Sequence, residues 1–276
     1  MTRQPLTWMF GCLVAIALLL GGCGGAGSDC ETLAANPKDP EGDGDGVEFG
    51  DIHALDAIAV CKTALEEDPD DPRVQYHYAR ALSKAGRYAE AVEWGRKSAE
   101  QGYAAAQNLL GIRYETGHGV EHNLNEAAKW FHKAAEHEIV NAHITLGMLY
   151  FNGLGVPKDY EKSVYWYQRA ADEGSAEGKY NLGLMYMNGW AVQTDLEAAL
   201  DLFAEAVEDD FLPAHTILGD AYADGHGVEP NLDVAAEWYG RAAMRGYRPA
   251  LRRLRNLIEE NEAHFARYTR MNIDEE

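Results

Sequence analysis

The chain has 276 residues, with 45 acidic against 24 basic side chains and a net charge of −21. A field of that sign repels nucleic-acid phosphates and anionic lipid headgroups, which excludes both as general partners. It suits an extended, well-solvated fold.

The first residues read as a targeting segment. Arg3 supplies a short positive start, and Met9 to Leu20 is a nearly unbroken apolar run. That run is too short for a helix to cross a bilayer, which needs about 20 residues, and it fits the apolar stretch of a secretory signal. The run ends in Leu20-Gly21-Gly22-Cys23, which resembles a bacterial lipobox. The resemblance implies a signal peptide over 1–22 and lipidation of Cys23, with an ordinary secretory signal as the alternative. Cys12 is a poorer candidate because too little apolar sequence precedes it. Multiple acyl chains would anchor the protein firmly, each buried methylene contributing about 0.8 kcal/mol. Residue 24 is glycine, not aspartate, which by resemblance to lipoprotein sorting signals favours the outer membrane. The expectation is an exported, lipid-anchored protein facing the periplasm, touching the membrane through its anchor only.

Four cysteines are present. With Cys12 removed and Cys23 lipidated, Cys30 and Cys61 remain as a pair in an oxidising compartment. They read as a disulfide, with two free buried thiols as the alternative. Residues 23–50 are rich in Gly, Asp, Pro and Glu and read as a flexible acidic tether. Within it, Asp39 to Asp45 invites a calcium loop, but the twelfth position of such a loop is Gly50, not an acid. An acidic surface loop is the preferred reading.

Helical spacing begins near Ile52, where Ala54, Ala57, Ile58, Cys61, Ala64 and Leu65 form one apolar stripe. Pro69 and Pro72 break it. A helix pair over 74–85 and 88–101 follows, turning at Gly86-Arg87. This pair resembles a tetratricopeptide unit at Gly86, Tyr88 and Ala91, so 51–103 reads as degenerate units of that kind.

From residue 104 to 248 the chain repeats four times with a period of 36 residues. Gly111, Gly147, Gly183 and Gly219 form one column; Tyr114, Tyr150, Tyr186 and Tyr222 form the next. Gly117, Gly153, Gly189 and Gly225 mark a turn. Trp130, Trp166 and Trp238 fill a later column, with Leu202 in the third repeat, and Ala134, Ala170, Ala206 and Ala242 close each unit. Such a period marks a solenoid whose units bury apolar faces against their neighbours. Each unit reads as helix A, a glycine turn and helix B. Asn123, Asp159, Asp195 and Asn231 stand where helix B needs an N-cap. The predicted fold is all-α, an α/α superhelical solenoid of about a dozen helices.

The second unit carries Ala142, Leu146, Gly147, Tyr150, Gly153, Gly155, Val156, Asp159, Trp166, Ala170, Ala171 and Gly174. In that order it resembles the Sel-one-like repeat (SLR), a relative of the tetratricopeptide repeat. The resemblance implies a right-handed superhelix that acts as a protein-binding scaffold, here for envelope proteins. Residues 249–276 read as a capping helix and tail, with Leu251, Leu254 and Leu257 in a stripe. Arg245, Arg248, Arg252, Arg253 and Arg255 cluster there. They either pair with acids of the last repeat or form a docking face for an anionic partner.

No G-x-S-x-G elbow, S-x-x-K motif, Walker loop or H-E-x-x-H helix occurs. His118 and His122 stand four apart, but a metal would need a third ligand; no metal or cofactor is expected, and no enzyme. The runner-up function is a cell-wall or β-lactam-binding hydrolase. The SLR branch linked to β-lactam binding carries a cysteine pair in each repeat, and these four repeats have none. One pattern exceeds the repeat template. The columns Glu115, Phe151, Met187, Ala223 and His118, Leu154, Trp190, His226 turn large and apolar together in units two and three. Phe151, Leu154, Met187 and Trp190 are therefore expected to form one binding ridge, with extra core packing as the alternative.

Overall fold

The structure is a computed structural model, and it describes residues 26–35, 48–262 and 264–266. Cys23 and the acidic run Asp39–Asp45 lie outside the described residues. The described residues are all-α, with no strand. The helices are α1 (Ala26–Ala34), α2 (Ala54–Glu67), α3 (Pro72–Lys84), α4 (Tyr88–Glu100), α5 (Ala104–Thr116), α6 (Leu124–Ala135) and α7 (Val140–Asn152). After them come α8 (Tyr160–Asp172), α9 (Ala176–Asn188), α10 (Leu196–Glu208), α11 (Leu212–Asp224), α12 (Leu232–Met244) and α13 (Arg248–Glu260). A short 3-10 turn at Phe49–Asp51 precedes α2. The chain divides into two compact units after His122, within the first 36-residue repeat.

In the first unit, the irregular tether expected for 23–50 gives way to helix α1. Cys30 and Ala34 lie four apart on one face, fully buried with Ile52, Ala57 and Cys61. A disulfide joins Cys30 to Cys61. The buried Arg80 donates from Nη1 to the Ala34 carbonyl at 2.6 Å. A cation at a helix C-terminus satisfies an orphan carbonyl and favours the helix dipole. Helix α1 is thus held by tertiary contacts more than by its own sequence. Asp71 caps α3 by accepting from the Arg73 and Val74 amides, and Pro72 fills the first turn, where its missing N–H is harmless.

His77 lies in the middle of α3 and is fully buried. Among the described residues neither of its ring nitrogens has a hydrogen-bond partner. Burial first, then the positive charges of Arg80 and Arg73, push it down to about 3.

In the second unit every expected cap is made. Asn123, Asp159, Asp195 and Asn231 accept from the amides of Glu126, Lys162, Ala198 and Val234. Gly153, Gly189 and Gly225 end α7, α9 and α11 in the left-handed region, at φ 72°, 67° and 75°. Such a φ suits glycine, which carries no Cβ to clash. Helices A and B meet ring on backbone. A Cβ added to Gly147 would stand 2.5 Å from the Tyr167 ring. At Gly183 it would stand 2.6 Å from Phe203, and at Gly219 2.4 Å from Tyr239. Ala170, Ala206 and Ala242 are fully buried and keep successive helices close.

Two outcomes test this description of the first unit. Cys61→Ser should destabilise it by roughly 3–4 kcal/mol, the chain-entropy value for a loop of this length, as read by denaturant melts under non-reducing conditions. His77 sets an acid dependence. The unfolded histidine binds a proton near pH 6.5 while the folded one resists it down to about 3. Its contribution is therefore whole above pH 6.5 and is lost as the pH falls toward 3. His77→Leu should narrow the loss of stability between pH 7 and pH 5 by about 2 kcal/mol.

Candidate protein-binding site

The four residues of the expected ridge divide between two places. Phe151 lies in the last turn of α7, one residue before its end at Asn152, and Trp190 follows the Gly189 cap of α9. Their rings meet edge to face with centroids 4.7 Å apart. Tyr160, the first residue of α8, completes the group, 5.2 Å from Phe151 and stacked on Trp190 at 6.1 Å and 18°. All three are half-buried and rest on the core of Tyr167, Leu182 and Met185. Burial pushes the Tyr167 phenol up to about 12, so this floor is uncharged at physiological pH. The Lys158 ammonium lies 4.6 Å from the Tyr160 ring centre and 5.9 Å from that of Phe151, a cation–π arrangement at the rim. Leu154, in the same turn, is 41% exposed.

Met187 does not join them. With Tyr180 and Leu184 it forms a stripe along α9 that packs on Ala199, Phe203 and Leu218. The reason is the backbone. Met187 and Trp190 are three apart, as on a helix face, but Gly189 at φ 67° breaks the helical phase between them. Trp190 therefore turns toward Phe151 and Tyr160 while Met187 keeps the direction of its helix.

Tyr160 and Lys158 were not singled out in the sequence, yet a signal existed. In three turns the second glycine lies on the start of an earlier helix. A Cβ on Gly119 would stand 2.4 Å from the Tyr88 carbonyl oxygen, on Gly155 2.2 Å from that of Leu124, and on Gly227 2.9 Å from Leu196 Cβ. Tyr160 is the matching residue for the third repeat's turn, and there the glycine is replaced by Ala191, held at φ 58°. A side chain at a position built for bare backbone is a local departure of the kind found at functional sites. The first repeat stacks the same two positions, Tyr88 on His118 at 5.0 Å and 27°, and keeps its glycine at Gly119, whereas the third repeat stacks Trp190 on Tyr160 with Ala191 in that place.

The group offers an aromatic, mostly desolvated floor, an exposed leucine and one cation at its edge. That chemistry suits an apolar side chain of a protein partner beside a carboxylate.

The fold and this surface define the class as an α/α repeat scaffold. The chain belongs to the Sel1 repeat family, whose repeat matches residues 104–138, 140–175, 176–211 and 212–247. A tetratricopeptide repeat matches residues 53–111. Among solved structures the chain is similar to a Sel1 repeat protein from Oxalobacter formigenes, at 32% identity and a TM-score of 0.66, covering 73% of this chain and 86% of that one. It is also similar to c5321, a protective antigen of uropathogenic Escherichia coli with an SLR fold, at 30% identity and a TM-score of 0.67. That likeness covers 72% of this chain but 43% of the E. coli chain. Comparison with curated proteins finds no match.

Half-burial sets the expected energetics. Trp190→Ala should destabilise by roughly 1–3 kcal/mol, below the 3–5 kcal/mol of a fully buried aromatic. Leu154→Ser should stay within about 0.5 kcal/mol of wild type. Thermal melts of both variants check the pair.

Proposed function

We propose that the protein is a non-catalytic adaptor, lipid-anchored through Cys23 at the outer membrane of a bacterial envelope and facing the periplasm, where it gathers envelope proteins. The observation that carries the adaptor reading is the exposed Leu154 beside the half-buried Phe151–Trp190 pair, where units two and three leave the repeat template. The Sel1 repeat fold supports it, because stacked helix pairs present broad binding surfaces. The address is supported by the apolar run Met9–Leu20 and the Leu20-Gly21-Gly22-Cys23 sequence. The Cys30–Cys61 disulfide favours an oxidising compartment.

The two parts are tested separately. Mass spectrometry of the mature protein should find an acylated Cys23 as the first residue, and Cys23→Ala should release the protein from membranes. An unmodified start elsewhere contradicts the anchor. For binding, a photo-crosslinking residue at Leu154 should capture a discrete envelope partner in cells. The same probe at the exposed Glu197 should not. Capture should weaken at least about tenfold in a Lys158→Glu background, as for a hot-spot rim. Equal yields from both positions would remove this surface as the binding centre.

A further inference from the structure

Helix α13 is seated as the helix A of a fifth unit. Ala250 falls in the column of the buried Ala142 and Ala214 and is itself fully buried. Leu254 and Leu257 pack on the cluster of Ala235 and Tyr239. Arg253 reaches Asp220 at 3.2 Å, and Asp220 accepts the Tyr239 hydroxyl at 2.6 Å. Arg245 pairs with Asp210. Two of the five clustered arginines thus fasten the end of the array.

The opposite face of α13 is the one that a helix B covers elsewhere. On α7, His143 is stacked by Trp166 and Gly147 is covered by Tyr167, both from α8. On α11, His215 meets Trp238 and Gly219 meets Tyr239, both from α12. The corresponding residues of α13 are Leu251 and Arg255. Leu251 is 46% exposed, and Ile258 on the same side is 42% exposed. The described chain does not return over them. Asn261 ends α13 at φ −122°, without the left-handed turn that starts the other helix B segments. His264 then meets Asp233 at 3.0 Å, and Phe265 packs back on the cluster of Tyr239 and Leu257.

This open face is basic on an acidic protein. Arg248, Arg252 and Arg255 are exposed on α13, and no described carboxylate pairs with them. Arg255 also stands where three units have the glycine that admits an aromatic ring. A ring-bearing helix B of the kind seen in the other units would meet the Arg255 side chain there, and a carboxylate would complement its charge.

We propose that the outer face of α13, made by Leu251 and Ile258 and flanked by Arg248, Arg252 and Arg255, seats an acidic amphipathic helix of a protein partner in the place of a missing helix B. The shape is set by the repeat, the apolar stripe by Leu251 and Ile258, and the charge by three guanidiniums with no partner among the described carboxylates, a group that hydrogen-bonds carboxylates in fork geometry.

The probe is a labelled synthetic peptide of residues 195–208 carrying Phe203→Ala. It is a helix B sequence with carboxylates Asp195, Glu197, Asp201, Glu205 and Glu208, no basic residue and no ring to clash with Arg255. Fluorescence anisotropy with the purified full-length mature chain should show saturable binding that weakens as salt rises. The double variant Arg252→Glu, Arg255→Glu should bind at least about tenfold more weakly with an unchanged melting temperature. The single variant Arg255→Gly should regain binding of the peptide with Phe203 restored. Absence of saturable binding by the wild-type chain overturns the proposal. So does equal binding by the double variant. Binding that appears only after deletion of 267–276 would give the seat to the chain's own end. Arginine-dependent binding to phosphatidylglycerol vesicles without peptide binding would make the face a lipid contact. Either result also overturns the proposal.

Discussion

The contact between an aromatic ring and a bare helix backbone governs this architecture. Tyr167, Phe203 and Tyr239 each lie on a glycine of the preceding helix, at Gly147, Gly183 and Gly219, closer than any Cβ would allow. A ring in direct contact with backbone fills space that two side chains would otherwise share, and interiors are close-packed. The phenol or phenyl comes from helix B and the glycine from helix A of the same unit. One contact therefore sets both the spacing and the rotation of the pair. The buried alanines at 170, 206 and 242 then leave room for the next helix A to pack closely.

A second close approach links three of the turns to an earlier helix start. Gly119, Gly155 and Gly227 hold their turns against the starts of α4, α6 and α10. At the start of α8 the turn residue is Ala191, held at φ 58°, and Trp190 stacks on Tyr160 beside it. The candidate site lies at the one repeat turn whose second glycine is replaced, with Leu154 and Lys158 beside it. In α13 Arg255 stands in the glycine column, and Leu251 and Ile258 on the same side are exposed.

Most of the fold was legible because its determinants are local and recur. The cap residues Asn123, Asp159, Asp195 and Asn231 act within three residues of their own helix start, and the turn glycines within one turn of a helix end. Two features were not legible, each for its own reason. Helix α1 has only Cys30, Leu33 and Ala34 as a stripe, and Arg80 and the disulfide, contributed from far along the chain, hold it in place. Met187 and Trp190 look like one face by spacing, but the count passes through a left-handed glycine, after which helical periodicity carries no direction. Tyr160 was legible in principle, since the Ala191 exception points at the helix start on which that turn bears.

Ring-on-glycine contacts, not helix propensity, fix the helix pairs. Gly219→Ala and Gly240→Ala, both within the last repeat, separate the two effects by sign. A Cβ at Gly240 meets nothing within 4 Å, whereas one at Gly219 collides with Tyr239. Propensity alone favours alanine at either helical position by about 1 kcal/mol. Denaturant melts should show Gly240→Ala gaining roughly 0.5–1 kcal/mol and Gly219→Ala losing about 1–3 kcal/mol through overpacking. Equal stabilisation by both substitutions would contradict the account.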